Sequence, residues 1–193
     1  FAVRKHLLEY DDVMNKQRES VYTLRREVLE GKIHVSEEEL ADTRGYIRAL
    51  AEDLLDDMVE RYVGKQVEVD DWDLEAFKRE VERVFDLDAE TLDGLDLEGK
   101  GTDEIGDVVW DAAKASLEER EGTLGLELFE RVARDLMLQF VDLQWKDHLY
   151  SLDHLKEGIG LRGYGQRDPL VEYKKESFAL FQDMKARIEE DIV

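Results

Sequence analysis

Apolar positions recur along this chain at steps of three and four, the spacing that places side chains on one face of a helix. Within residues 129–193 they define two helical segments joined by a connector at 158–168. Phe129, Val132, Leu136, Phe140, Leu143, Leu152, Leu155 and Ile159 predict the apolar face of the first, passing over one turn around Asp147. Tyr173, Ser177, Phe181, Met184 and Ile188 predict that of the second. Four glycines, at 158, 160, 163 and 165, occupy the connector, and Asp168-Pro169 opens the second helix. Asp168 offers a capping carboxylate, and Pro169 suits the first helical position, whose N–H has no helical partner. A connector this short predicts an antiparallel helical hairpin with arginine and tyrosine at its turn.

Residues 1–31 predict one long helix of roughly 40 Å. Val3, Leu7, Tyr10, Met14, Gln17, Val21, Leu24 and Val28 form a heptad seam with a polar break at Gln17, and Gly31 follows as a C-terminal cap. Such a seam needs a partner, and the 129–193 hairpin is the nearest apolar surface. The two ends, 1–31 and 129–193, therefore pair as one helical unit, with 32–128 as an insertion. In the insertion, Ser36 and Glu39 predict a capping box for a helix that buries Leu40, Ile47, Leu50, Leu54, Met58 and Tyr62. After Gly64 and a brief alternation around Val67-Glu68-Val69, residues 71–86 carry the apolar face Leu74, Phe77, Val81 and Val84. Residues 86–103 read as an acidic loop. Thr102 is the expected cap of a helix bearing Ile105, Val108, Ala112 and Leu117, and Gly122 and Gly125 mark the return to the hairpin. With no long strand candidate, the fold class is all-α.

Composition sharpens the division. The 193 residues are 42% hydrophobic, enough to bury a core. Net charge is zero over residues 1–31 (six basic, six acidic), −19 over 32–128 (11 basic, 30 acidic) and −3 over 129–193 (10 basic, 13 acidic). The acidic insertion repels phosphate backbones and argues against nucleic acid as a partner. There is no cysteine, which excludes disulfide and thiolate chemistry and suits a reducing compartment. No apolar run is long enough to span a bilayer, and no signal peptide is visible. The chain opens at Phe1 inside a helical pattern and reads as a piece of something longer.

Candidate chemistry is sparse. Gly158-Ile159-Gly160-Leu161-Arg162-Gly163 matches the dinucleotide fingerprint, but that motif works only after a β-strand and at the mouth of a helix, and here a helix precedes it. A calcium loop starting at Asp86 would need glycine at its sixth position, where Thr91 stands. His148 and His154 are six apart rather than the four that pairs metal ligands on a helix, and His6 and His34 are scattered. No nucleophile–base pattern, phosphate loop or nucleophile elbow occurs, so no catalytic, cofactor or metal residues are assigned. What remains is the turn Leu161, Arg162, Gly163, Tyr164, Gly165, Gln166 and Arg167. Its tyrosine either folds back as a local plug or forms a contact surface for another polypeptide, since Tyr and Arg are favoured interface anchors. Trp145 reads as core.

The run Leu7-Leu8-Glu9-Tyr10-Asp11-Asp12-Val13-Met14-Asn15-Lys16-Gln17-Arg18 resembles the opening of the scaffold helix of the SecA family of bacterial preprotein translocase ATPases. So do Trp145-Lys146-Asp147-His148-Leu149, the run from Leu161 through Arg162-Gly163-Tyr164-Gly165-Gln166-Arg167 to Asp168-Pro169, and Glu172-Tyr173-Lys174-Lys175-Glu176-Ser177-Phe178. These stand in the family's order, and the insertion has the length of the family's wing. The resemblance implies a helical scaffold at 1–31 and 129–193 and a helical wing at 32–128. It implies a two-helix finger whose tip, centred on Tyr164, touches a translocating preprotein at the SecY channel and whose body restrains the ATPase. Tyr10, Asp11, Asp12, Asn15 and Arg18 become candidate contacts with the nucleotide-binding and preprotein-binding domains of the parent chain. Trp145, Leu152, Tyr173 and Phe181 become the packing of the finger. ATP and magnesium belong to those other domains, so the expected fragment has no cofactor and no enzymatic activity of its own. The resemblance also implies a cytoplasmic location, peripheral at the inner membrane through the parent. The competing expectation is a stand-alone helical adaptor that docks a basic partner on its acidic module.

Overall fold

A computed structural model of the chain describes residues 2–97, 99–162 and 168–193, and the side chains of residues 9–97, 99–159 and 168–193. Helix α1 (Ala2–Glu30) ends at Gly31, whose φ of 65° lies in the left-handed region. Gly31 N–H donates to Val28 O at 3.2 Å and Lys32 N–H to Glu27 O at 3.1 Å, so the last carbonyls are satisfied by a turn that glycine adopts cheaply. Two short strands follow, β1 (Ile33–His34) and β2 (Leu40–Ala41), paired with each other. The rest is helical: α2 (Thr43–Val63), α3 (Leu74–Phe85), α4 (Ala89–Gly94), α5 (Thr102–Leu124), α6 (Leu126–Arg162) and α7 (Pro169–Ile192). Among the described residues the fold is all-α apart from that strand pair and a 3-10 turn at Val69–Asp71, next to the brief polar–apolar alternation.

Several local expectations are corrected. Ser36 and Glu39 do not cap a helix. Glu39 O accepts from Val35 N–H at 3.0 Å and closes the turn between the strands, leaving Leu40 exposed in β2. Asp42 takes the capping role instead, its carboxylate accepting from Gly45 N–H at 2.7 Å. It stands directly ahead of the buried pair Tyr46 and Ile47, so capping and burial start together. Leu50, Leu54 and Tyr62 are only half-buried, and α2 buries Ala51, Leu55, Val59 and Val63 along with Ile47 and Met58. The 86–103 segment is not a plain loop: Asp88 caps α4 through Thr91 N–H at 2.6 Å, and Leu87, Leu92 and Leu97 are buried. Thr102 is the first residue of α5 rather than its cap, and its hydroxyl donates to Val63 O at 2.7 Å. The cap falls to Gly101, whose N–H donates to the Glu104 carboxylate at 2.9 Å.

Two compact units emerge, Phe1–Ile33 with Arg134–Ile192, and His34–Ala133 with Val193. The second is built from α2, α3, α4 and α5 around Leu55, Val63, Phe77, Val81, Ile105 and Val109, all but fully buried. Moving a side chain of this size out of water contributes roughly 1.5–3 kcal/mol. The first packs α1, the later part of α6 and α7 around Val21, Val141, Trp145, Phe181, Met184 and Ile188.

On α6 the buried stripe differs from the expected one. Leu152 and Ile159 are buried as expected, but ahead of them Met137, Val141, Trp145 and His148 are buried, whereas Val132, Leu136 and Leu143 are exposed. Both sets satisfy helical spacing, about a third of a turn apart. The α7 face, by contrast, buries Tyr173, Ser177, Phe181, Met184 and Ile188 as the spacing predicts. The connector also starts later than expected, because Gly158 and Gly160 continue α6.

Candidate functional site

The first unit presents its chemistry at three levels along α1. Nearest the start of α7, the Tyr10 ring stands edge-on against buried Tyr173, centroids 4.6 Å apart at 90°. The Lys156 ammonium lies 5.7 Å from the Tyr10 ring centroid and 3.7 Å from the Asp11 carboxylate. An aromatic pair in this geometry contributes about 0.5–1.5 kcal/mol beyond its buried area. Burial raises the Tyr10 hydroxyl pKa, helped by the negative charges of Asp168 and Glu9. Burial does the same for Tyr173, with Asp153 and Asp11 adding to it. Both phenols therefore stay neutral at pH 7 and pack against each other. Asp168 caps α7, its carboxylate accepting from Leu170 N–H at 2.9 Å.

At the middle level the polar break in the seam becomes a buried junction of three helices. His148 Nε2 lies 2.8 Å from Gln17 Oε1, and Gln17 Nε2 donates to the backbone carbonyl of Ser177 at 3.2 Å. Since the amide oxygen can only accept, Nε2 must carry the imidazole proton. The Ser177 hydroxyl donates to Lys174 O at 3.1 Å. Gln17, His148 and Ser177 are 7%, 1% and 0% exposed, and each makes a hydrogen bond inside the protein. Burial, with Arg187 adding its positive charge, lowers the His148 pKa from 6.5 to about 4, and the ring is neutral at pH 7.

The third level is an ion pair and a clasp. Arg25 meets Asp142 through two contacts of 2.7 and 3.0 Å. Gln144 accepts from Arg187 Nε at 3.0 Å and donates to Asp191 at 2.8 Å. Pairings 144 with 191 and 148 with 181 run α6 and α7 antiparallel. Pairings 25 with 142 and 11 with 156 do the same for α1 and α6.

The candidate residues are thus distributed unevenly. Trp145, Leu152, Tyr173 and Phe181 are all buried in this unit. Tyr10 is half-buried on the hairpin side, Arg18 is half-buried, and Asp11, Asp12 and Asn15 are exposed. Tyr22 and Leu29, 51% and 62% exposed, extend the open face of α1. Leu161 and Arg162 close α6, and their side chains, like Gly163, Tyr164, Gly165, Gln166 and Arg167 as a whole, lie outside the described residues. Sequence reasoning passed over the junction itself. By spacing alone Gln17 reads as a seam defect, and His148 lies in the turn that the apolar pattern passes over. The usable signal was a polar residue at a seam position matched by a histidine in the skipped turn.

In the second unit, Glu121 is buried and meets Arg44 at 2.6 Å and Arg48 at 3.4 Å. A cleft between α2 and α5 has Leu55, Val59 and Trp110 among its lining and Glu52, Asp56, Asp103 and Asp107 around them. Lys65 already pairs with Asp103 at 2.8 Å. Among the described residues no group of three or more His, Asp or Glu side chains could hold a metal ion, and no helix is long and apolar enough to cross a membrane.

A long helix braced on a helical hairpin, with an acidic helical insertion in the chain between them, is the architecture of a helical scaffold. The chain belongs to the family described as the SecA Wing and Scaffold domain, whose model matches residues 1–193. Curated relatives named Protein translocase subunit SecA align over the whole chain. That of Geobacter metallireducens is 43% identical, with 20% of its own length covered. Those of Koribacter versatilis and Rubrobacter xylanophilus are 42% and 40% identical, with 18% and 22% covered. The chain thus spans about a fifth of the length of these relatives.

Proposed function

We propose that this chain supplies the mechanical scaffold and finger of an ATP-driven preprotein translocase. The long α1 acts as the rod. The α6–α7 hairpin acts as the finger, whose tip, centred on Tyr164, contacts the translocating polypeptide at the SecY channel. ATP and magnesium act in other domains of a longer parent chain, which works in the cytoplasm and peripherally at the inner membrane, and the finger restrains turnover there. The exposed face of α1 with Asp12, Asn15, Tyr22 and Leu29 is the surface offered to those domains. The match over residues 1–193 and the relatives' shared name support this reading over a free-standing adaptor.

The observation that carries it is the bracing of the hairpin against α1 at the three levels, Tyr10 on Tyr173, Gln17 on His148 and Ser177, and Arg25 on Asp142. A lever transmits displacement only if its base does not yield. A tip that meets polypeptides of any sequence gains from tyrosine, which pairs a flat apolar face with one hydroxyl and little rotamer entropy. The test is Tyr164→Ala in the intact parent, with translocation and ATP turnover measured side by side. Translocation should fall further than turnover, whereas equal loss of both would assign Tyr164 a structural role.

A further inference from the structure

The α1 seam specifies that the rod packs on the hairpin but only weakly specifies where along it. Tyr10, Met14, Val21, Leu24 and Val28 are all apolar and spaced by heptad steps, so sliding α1 by a turn or a heptad exchanges one apolar contact for another. The Arg25–Asp142 pair is too exposed, at 32% and 53%, to fix the position, because ion pairs of this kind contribute little. Gln17 is different. Its amide reaches a backbone carbonyl of α7 and a ring nitrogen of α6 at once, and all three groups are sealed from water. Ser177 makes that approach possible, since its small side chain turns its hydroxyl back onto Lys174 O and leaves its own carbonyl open to the amide. In any other register Gln17 and His148 enter an apolar seam without partners, and buried polar groups left unmade are costly.

We propose that Gln17, His148 and Ser177 are positioning residues that lock the lengthwise register of α1 on the α6–α7 hairpin. The lock goes beyond the translocase reading and stands whether or not the tip touches a substrate. In a lever, it is the element that sets how far the hairpin extends past its support.

The absence of cysteine lets spin labels be placed at will in the full chain. Ser20 on α1 and Asp135 and Asp153 on α6 are exposed, and the two α6 positions lie on opposite sides of the Ser20 level. Double electron–electron resonance on Ser20→Cys with Asp135→Cys, and on Ser20→Cys with Asp153→Cys, should each give one narrow distance. In Gln17→Leu/His148→Leu, which removes the polar pair together and keeps the seam apolar, a second population should appear. It should be displaced by about 5 Å, one helical turn, longer for one pair and shorter for the other. His148→Gln, whose amide can still donate to Gln17, should restore the single distance. Unchanged single distances in the double variant would overturn the lock. So would both distances lengthening together, or loss of helicity by circular dichroism, since these mark general loosening and not a shift in register. None of these readouts depends on translocation, so failure here is separable from failure of the translocase reading.

Discussion

His148 links the stability of the first unit to pH in a way that can be worked through quantitatively. Buried against Gln17 and near Arg187, the folded ring titrates at about 4, against 6.5 when solvated. As pH falls through 6.5 the unfolded chain takes up a proton that the folded protein refuses until about pH 4. The unfolded state therefore binds more protons in this window, and stability is lost with falling pH and is flat above about pH 7. The gap of about 2.5 pH units, at about 1.36 kcal/mol each, amounts to roughly 3.4 kcal/mol over the full window. Between pH 7 and pH 5 the same linkage gives about 1.8 kcal/mol. The perturbation is His148→Gln, which keeps a donor for Gln17 Oε1 and removes the titration. Trp145 reports on this unit once Trp72 and Trp110, which belong to the other, are replaced by phenylalanine. Urea unfolding at pH 7 and pH 5, followed by Trp145 fluorescence, should show the parent losing about 1.8 kcal/mol more than the variant. The acidic groups common to both proteins cancel in that difference. Equal losses, or an NMR titration of His148 centred near 6.5, would refute the reasoning.

Two glycine substitutions should move in opposite directions. Gly158 lies inside α6 with open space where a Cβ would go, so Gly158→Ala should stabilise by about 0.5–1 kcal/mol. Gly125 joins α5 to α6 at φ +78°, where alanine is strained despite the free space, so Gly125→Ala should destabilise by about 1 kcal/mol. Chemical denaturation of both variants checks the pair. Glu121→Ala should cost about 1–2 kcal/mol in the second unit, because it strips Arg44 and Arg48 of a shared buried carboxylate. The figure is held at the low end by the 35% and 26% exposure of the two arginines, and urea unfolding read by Trp110 measures it.

How much was legible in the sequence depended on whether one pattern or two competed for the same element. Helix α7 carries a single apolar face, so its buried residues follow from spacing alone. Gly31 was legible as a terminator because only the left-handed cap needs glycine there. Helix α3 buries Phe77, Val81 and Val84 on the expected face for the same reason as α7. Helix α6 carries two apolar stripes. Val132, Leu136 and Leu143 fit helical spacing as well as Met137, Val141 and Trp145 do, and only the presence of α1 and α7 selects the second. Capping was ambiguous in the same way, since Ser36 and Asp42 both carry the short oxygen-bearing side chain that suits an N-cap, and Asp42 wins by its place ahead of Tyr46 and Ile47. The junction was the least legible of all. Gln17 and His148 are 131 positions apart, and a lone polar residue in a seam reads as a defect until its partner is placed opposite it. Short-range spacing fixes which face of a helix is apolar. Which apolar face is buried, and whether a polar residue there is a fault or a clasp, depends on neighbours that only the folded chain brings within hydrogen-bond distance.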